Sequence, residues 1–221
     1  MVRMRAISNI PADEFFMERQ AIIEKFGSPF AANERTYKMG IDIRFTEHLA
    51  LRFRNRVVLE TCSGGGFTTI SLAKQAAHVY SFDIDQSALD TARANAALAG
   101  VDSNITFLHD DIFHGIKNSG LMRTIDASFI DPDWADTGTN PVYSFVHSQT
   151  QPPSDRLLEA ILNSTPNVTL VQPPFIPVKE FAHLPTHELE RLFIDTTLEL
   201  YCLHFGELAS RDGDSEYTVG H

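Results

Sequence analysis

The spacing of apolar positions divides the chain into a helical opening and a long alternating stretch. Over residues 12–26, "ADEFFMERQAIIEKF", Phe15, Ile22 and Phe26 recur on one face with Phe16 and Ile23 beside them, which is helical spacing. The "GSPF" that follows breaks the helix. A second helix is predicted over "FTEHLALRF", residues 45–53, with Thr46 as its cap. From residue 56 onward, short β-branched runs alternate with helical ones. Strands are predicted at 56–61, 78–84, 105–110, 125–131 and 168–174, and helices at 67–76, 87–100 and 153–164, with Gly100 closing the middle one. Strands alternating with helices imply an α/β fold whose mostly parallel sheet is covered on both faces. The runs "ELERLFI" (188–194) and "LELYCLHFGE" (198–207), separated by "DTT", are expected to pair as an antiparallel hairpin at the sheet edge. The polar "SRDGDSEYTVGH" after them is expected to fray. The expected organisation is a helical appendage over 1–55, an α/β domain over 56–210 and a polar tail over 211–221.

Composition narrows the partners more than the fold. A length of 221 residues suits one domain with a sizeable core. No apolar run is long enough to span a membrane, and the opening "MVRMRAISNIPADEFF" lacks the apolar region of a secretory signal. The cysteines, Cys62 and Cys202, stand apart at predicted strand ends, so a reduced cytoplasmic protein is expected. A formal net charge of −11 argues against broad binding of long nucleic acid, which needs a basic face. A local patch is still available, because eight of the eighteen basic residues lie within positions 17–56. An RNA would dock there, although solvated helix faces explain the same residues equally well.

The first predicted strand runs into "ETCSGGG", which places Glu60 at a strand end ahead of Gly64 and Gly66. An acid followed by glycines at a helix N-terminus suits a nucleotide-like ligand. The run is neither the dinucleotide fingerprint, since Thr68 and Thr69 follow Phe67, nor a P-loop, since no Gly-Lys-Ser/Thr follows. The second strand ends in Asp83, 19 residues beyond Gly64, where a carboxylate can accept from both ribose hydroxyls. The third ends in "HDD", placing Asp111 to accept from an adenine amino group. Three acidic strand ends favour an adenosine ligand without phosphates, carrying an ammonium that Glu60 can pair. Those features point to S-adenosylmethionine. Each acid alone could equally be a helix cap or a turn residue.

With these residues the chain resembles the class I S-adenosylmethionine-dependent methyltransferases over roughly residues 40–207. That resemblance implies a Rossmann-like seven-stranded sheet with an antiparallel last strand. It also implies cofactor contacts at Glu60, Ser63, Gly64, Gly66, Asp83, Ile84 and Asp111, and no metal.

The fourth strand ends in Asp131-Pro132-Asp133-Trp134. An exocyclic amine on a base is a poor nucleophile, because its lone pair is delocalised into the ring. Acceptors around its N–H bonds return electron density to nitrogen in the transition state, and an aromatic ring stacked on the base fixes its orientation. The family pattern is Asp/Asn/Ser-Pro-Pro-aromatic, and this tetrapeptide matches it at every position except Asp133. Together with "VVLETCSGGGFTT", "SFDIDQSALDTARANAALAGV", "ITFLHDDIF" and "LYCLHFGEL", it makes the chain similar to the trimethylguanosine synthase family, the RNA cap guanine-N2 methyltransferases. The resemblance implies a guanosine in RNA as acceptor, catalytic roles for Asp131, Pro132 and Trp134, and Trp134 stacked on the base. A small-molecule or protein amine is the alternative acceptor, and a non-catalytic cofactor-binding module is the reading from another class.

Three other candidates carry less weight. Pro185 disfavours the helix that His183 and His187 would need for a zinc site. Cys62 could be a nucleophile for pyrimidine methylation, but a small buried loop residue is the commoner explanation. "QPPF" (172–175) repeats a proline-proline-aromatic pattern; it competes weakly with residues 131–134 as the amine site and is expected instead to shape one pocket wall.

Overall fold

The computed structural model describes residues 18–118, 120–134 and 144–220. Three helices open the chain: α1 (Arg19–Phe26), α2 (Glu34–Met39) and α3 (Ile43–Ala50). The alternating region follows as β1 (Val57–Thr61), α4 (Phe67–Ala73), β2 (His78–Asp83), α5 (Gln86–Ala99) and β3 (Ile105–His109). It continues through α6 (Ile112–Asn118), β4 (Ala127–Ile130), α7 (Ser154–Leu162) and β5 (Val168–Gln172). The chain closes with β6 (His187–Ile194), β7 (Thr197–Phe205) and β8 (Gly213–Val219). Among the described residues no helix is long and apolar enough to cross a membrane. Phe15 and Phe16, assigned to the first helix from sequence, fall outside the described residues.

These strands form one sheet in the order β3-β2-β1-β4-β5-β7-β6-β8. β1 to β5 pair in parallel, and β7 runs antiparallel against both β5 and β6. The sheet thus holds eight strands rather than the expected seven. The extra one comes from the segment expected to fray: β8 pairs in parallel with β6 from Glu188↔Gly213 to Ile194↔Val219. The β6–β7 hairpin is therefore not the edge. Its outer strand is covered by β8, whose alternating burial (Ser215, Tyr217 and Val219 half-buried between exposed neighbours) is a period-two pattern in a largely polar run.

A buried charged cluster fastens this edge. Glu188 accepts from Arg52 at 2.9 Å, from the Ser210 N–H at 2.7 Å and from Ser215 Oγ at 2.6 Å. Glu190 bonds the His48 and His204 rings at 2.7 and 2.9 Å, and His48 stacks on Tyr217 at 3.7 Å. Burial by itself would raise both acids, but Arg52 and the hydroxyl donors outweigh it at Glu188, leaving its carboxyl down at about 2.

Strand alternation sorts the core onto two faces. Val58, Phe129 and Val171 pack with α1, α3 and α4 through Phe26, Phe45, Leu49 and Ile70, whereas Leu59, Ile130 and Leu170 pack with α7 through Leu157, Leu158 and Ile161. Helix α3 begins earlier than the sequence suggested. Asp42 caps it by accepting from the Arg44 N–H at 2.9 Å, so Thr46 is an interior residue bonded to Ser71 at 2.8 Å and not a cap. Gly100 ends α5 at φ +70°, as predicted.

The opening helices dock on the first glycine loop. Phe26 stacks on Phe67, the first residue of α4, at 3.7 Å. Asn95, buried in α5, donates to Ala31 O at 3.0 Å and Gly65 O at 2.8 Å and accepts from Ala31 N–H at 2.7 Å. One amide therefore ties the N-terminal segment to the loop.

Candidate active site

The carboxyl ends of β1, β2 and β4 meet where the strand order reverses, the place where open α/β sheets bind ligands. In register, Thr61 lies between Phe82 and Ile130, so the segments that follow all three strands open into one crevice.

The glycine loop is built for close approach. Gly66 N–H donates to Ser63 O at 2.8 Å, and Gly64 and Gly66 adopt φ of +51° and +80°, conformations that L side chains rarely adopt. The two glycines differ in what surrounds them. A Cβ on Gly66 would lie 2.9 Å from Ala92 Cα, so this glycine lets α5 approach. A Cβ on Gly64 would meet nothing within 4 Å, so this glycine leaves room for a ligand against the backbone.

Asp83 holds that loop in place. Its carboxylate accepts from the Gly64 N–H at 2.8 Å and the Asp85 N–H at 2.9 Å, and each oxygen keeps a further lone pair for a ligand hydroxyl. Ile84, beside it, is 72 % exposed, an apolar surface at a strand end with nothing yet covering it. Asp111 is partly committed: one oxygen accepts from the Phe113 and His114 N–H groups at 2.9 and 3.1 Å, capping the start of α6. Only its other oxygen is available to an adenine amino group.

Glu60 lies deeper than a strand-end acid needs to. It is 2 % exposed and accepts from Ser81 Oγ at 2.5 Å, while Ser63 Oγ bonds the same hydroxyl at 2.5 Å. No cation answers it among its described contacts. Burial pushes its carboxyl up to about 7, against the pull of the Ser81 and Thr69 hydroxyls. A cationic ligand group arriving at this crevice would find a carboxylate whose charge is otherwise uncompensated.

Asp131 follows β4 at the same end of the sheet, with Pro132 buried after it. Burial, then the charges of Glu60 and Asp133, raise Asp131 to about 8. Asp133 lies in an antiparallel bridge to Gln151: its N–H donates to Gln151 O at 3.0 Å, and Gln151 N–H donates to Asp133 O at 2.9 Å. Its carboxylate pairs with Arg35 of α2. Trp134 is half-buried against the cluster containing Phe67 and Phe129, and its Nε1 is buried without a partner among the described residues. Residues 135–138 of the same sequence stretch fall outside the described residues.

The lesser candidates resolve differently. Burial, followed by the charges of Asp83 and Asp131, raises the Cys62 thiol well above its ordinary range, which makes it a poor nucleophile. His187 opens β6 and bonds Pro185 O at 2.8 Å. Among the described residues no group of His, Cys, Asp or Glu is arranged to hold a metal. Gln172 ends β5 fully buried and donates to Ser154 Oγ at 3.0 Å, and Phe175 of the same "QPPF" run is 68 % exposed.

The structure adds Ser81, Asn95 and Arg35, which sequence reasoning did not single out. Asn95 left a readable signal, a polar residue on the apolar face marked by Leu89, Ala92 and Ala96. Arg35 left none, since its partner lies 98 positions away.

Comparison with known proteins bears on this arrangement. Residues 55–191 match the family described as RNA cap guanine-N2 methyltransferase. The fold is similar to that of a Porphyromonas gingivalis protein described as a methyltransferase, with TM-score 0.69 and 14% identity over 85% of this chain and 47% of that one. It is also similar to a Streptomyces achromogenes O-methyltransferase of tomaymycin synthesis solved with S-adenosylmethionine, with TM-score 0.56 and 16% identity over 88% of this chain and 92% of that one. A Streptococcus mutans protein solved with S-adenosylhomocysteine matches at TM-score 0.51 and 16% identity, over 74% and 97% of the two chains. At such identities the likeness is one of fold. The chain spans about half the length of the Porphyromonas protein.

Proposed function

The chain belongs to the RNA cap guanine-N2 methyltransferase family, and from that premise we propose that it transfers a methyl group from S-adenosylmethionine to the exocyclic N2 amine of a guanosine in RNA. One observation carries the reading: the buried Glu60, the loop-clamped Asp83 and the raised Asp131 share one crevice at the sheet's switch point.

The residues present fit the cofactor. Gly64 leaves space against the backbone, Asp83 would hold the ribose hydroxyls through its remaining lone pairs, Ile84 would face the adenine, and the second Asp111 oxygen would accept from its amine. Glu60 and Ser63 complete the floor of the site. Bound there, S-adenosylmethionine supplies an electrophilic methyl group on a sulfonium and leaves as a neutral thioether.

The chain's own contribution is to the amine. Asp131 and the Pro132 carbonyl accept from its two N–H bonds, drawing density onto nitrogen as the N–C bond forms and the C–S bond breaks. The proton lost by the new ammonium passes to the Asp131 carboxylate, whose raised value suits it to accept one near neutral pH. The Trp134 ring holds the base flat, and a cap guanine, made cationic by methylation, would gain a cation–π contact there.

Asp131→Ala, which removes the side-chain acceptor, tests the assignment. Binding of S-adenosylmethionine, measured by calorimetry, should persist while methyl transfer to RNA is lost. Loss of both would make Asp131 structural. The net charge of −11 favours a second reading, a small-molecule or protein amine as acceptor. Transfer to a metabolite pool with none to RNA would decide for it.

A further inference from the structure

Position 133 is where this chain departs from its family's pattern, and the structure puts the change to two uses. The backbone uses it first, because the Asp133 N–H donates to Gln151 O at 3.0 Å, a bond that a proline could not make. The bridge ties the strand end to Gln151. The carboxylate is the second use. Arg35 takes Oδ2, whereas Oδ1 is buried with no hydrogen-bond partner among the described residues. An unpaired carboxylate oxygen shut away from water is costly, and it marks a place where a donor is expected. Asp133 sits beside Trp134, and its charge reaches Asp131, so that donor would arrive with the acceptor base.

We infer that Asp133 is a specificity-determining residue whose Oδ1 accepts the ring N1–H of the guanine that Asp131 holds by its N2 amine, with Arg35 as the positioning residue that fixes the carboxylate. The inference rests on the function proposed above and names what selects its substrate. Guanine presents N1–H and the N2 amine side by side, two donor sites for two acidic acceptors. Adenine and cytosine set a ring acceptor next to their amines, which would bring a lone pair against the Asp133 carboxylate. Proline at this position offers no side-chain acceptor, so this readout belongs to this chain's own residues. The basic cluster noted in the sequence acquires a role at one residue: Arg35, 70 % exposed at the rim, holds Asp133 and needs no phosphate to explain it.

The probe is a capped oligoribonucleotide prepared with either guanosine or 2-aminopurine riboside as the cap nucleoside. The second keeps the amine but carries an acceptor at ring N1. The protein should prefer guanine in kcat/KM by at least ~100-fold, because a site built to bond an N–H rejects an analogue lacking it. Asp133→Asn, whose amide can donate or accept, should lower that ratio roughly tenfold or more by improving the 2-aminopurine substrate, with S-adenosylmethionine affinity unchanged. Arg35→Gln should lower the ratio as well, and Arg35→Lys should restore it in part, which a purely structural contact would not do. Transfer to guanine with the wild-type ratio kept in Asp133→Asn overturns the inference alone. A wild-type protein that binds the cofactor yet methylates neither the guanine cap nor any other guanosine in RNA overturns it together with the function it rests on.

Discussion

Glu60 should make the cofactor-free protein less stable than it could be, and Glu60→Gln tests this quantitatively. Its carboxyl moves from 4.5 to about 7 on folding, mainly through burial. A raised acid keeps its proton longer in the folded state, so ionisation favours the unfolded chain. The cost begins near the unfolded value, grows across the window between the two values, and is complete above about 7. At ~1.4 kcal/mol per unit, the whole window is worth roughly 3 kcal/mol. Gln keeps the shape and the Ser81 bond without the charge. Removing the charge also relieves Asp131, whose value Glu60 raises, so both effects act in one direction. In urea denaturation of the cofactor-free protein, the variant's stability relative to wild type should rise by roughly 2–3 kcal/mol between about pH 5 and about pH 8. The same variant should bind S-adenosylmethionine more weakly, because the charge that destabilises the empty site is what receives the cofactor's cationic end. A stability difference that does not change with pH would refute the claim that Glu60 is a desolvated carboxylate awaiting a cation.

Other outcomes follow from the same geometry. Methyl transfer should rise with pH as Asp131 ionises and level off above about 8, with the pH–rate profile as the readout. Gly66→Ala should destabilise by roughly 2–4 kcal/mol, through left-handed strain and the 2.9 Å approach to Ala92, as seen in thermal unfolding. Gly64→Ala should cost only about 1 kcal/mol of stability, with nothing near its Cβ, yet weaken cofactor binding in calorimetry. Asn95→Ala, which removes three hydrogen bonds in a buried setting, should cost roughly 2–4 kcal/mol and loosen the glycine loop, lowering cofactor affinity as well as the melting temperature.

Local patterning revealed most of the sheet and little of the site's wiring. β1 to β5 and the Gly100 stop were legible because short β-branched apolar runs and glycine punctuation are local signals. β8 was not, since Asp, Ser, Glu and Thr interrupt its few apolar positions and its partners, Glu188, His48 and β6, are remote in sequence. Thr46 misled as a cap because Asp42, an equally good cap, begins the helix earlier. At the site, the strand-end acids could be named but not told apart. Asp111 spends one oxygen on α6, Asp83 clamps the loop, and Glu60 withdraws into the core. Burial decides among those roles, and burial depends on contacts remote in sequence. Arg35 meeting Asp133 is the extreme case. It turns what looked like a stray charge beside the acceptor into a held and oriented carboxylate.

The central claim is that the crevice formed by Glu60, Asp83 and Asp131 delivers a methyl group to guanine N2. Incubating the protein with RNA and S-adenosylmethionine carrying a deuterated methyl, then digesting the RNA and separating its nucleosides by mass spectrometry, tests it most directly. The label should appear in N2-methylated guanosine and vanish with Asp131→Ala. Label on a ribose oxygen, a ring carbon or another base, or no label from a protein that binds the cofactor, would contradict it.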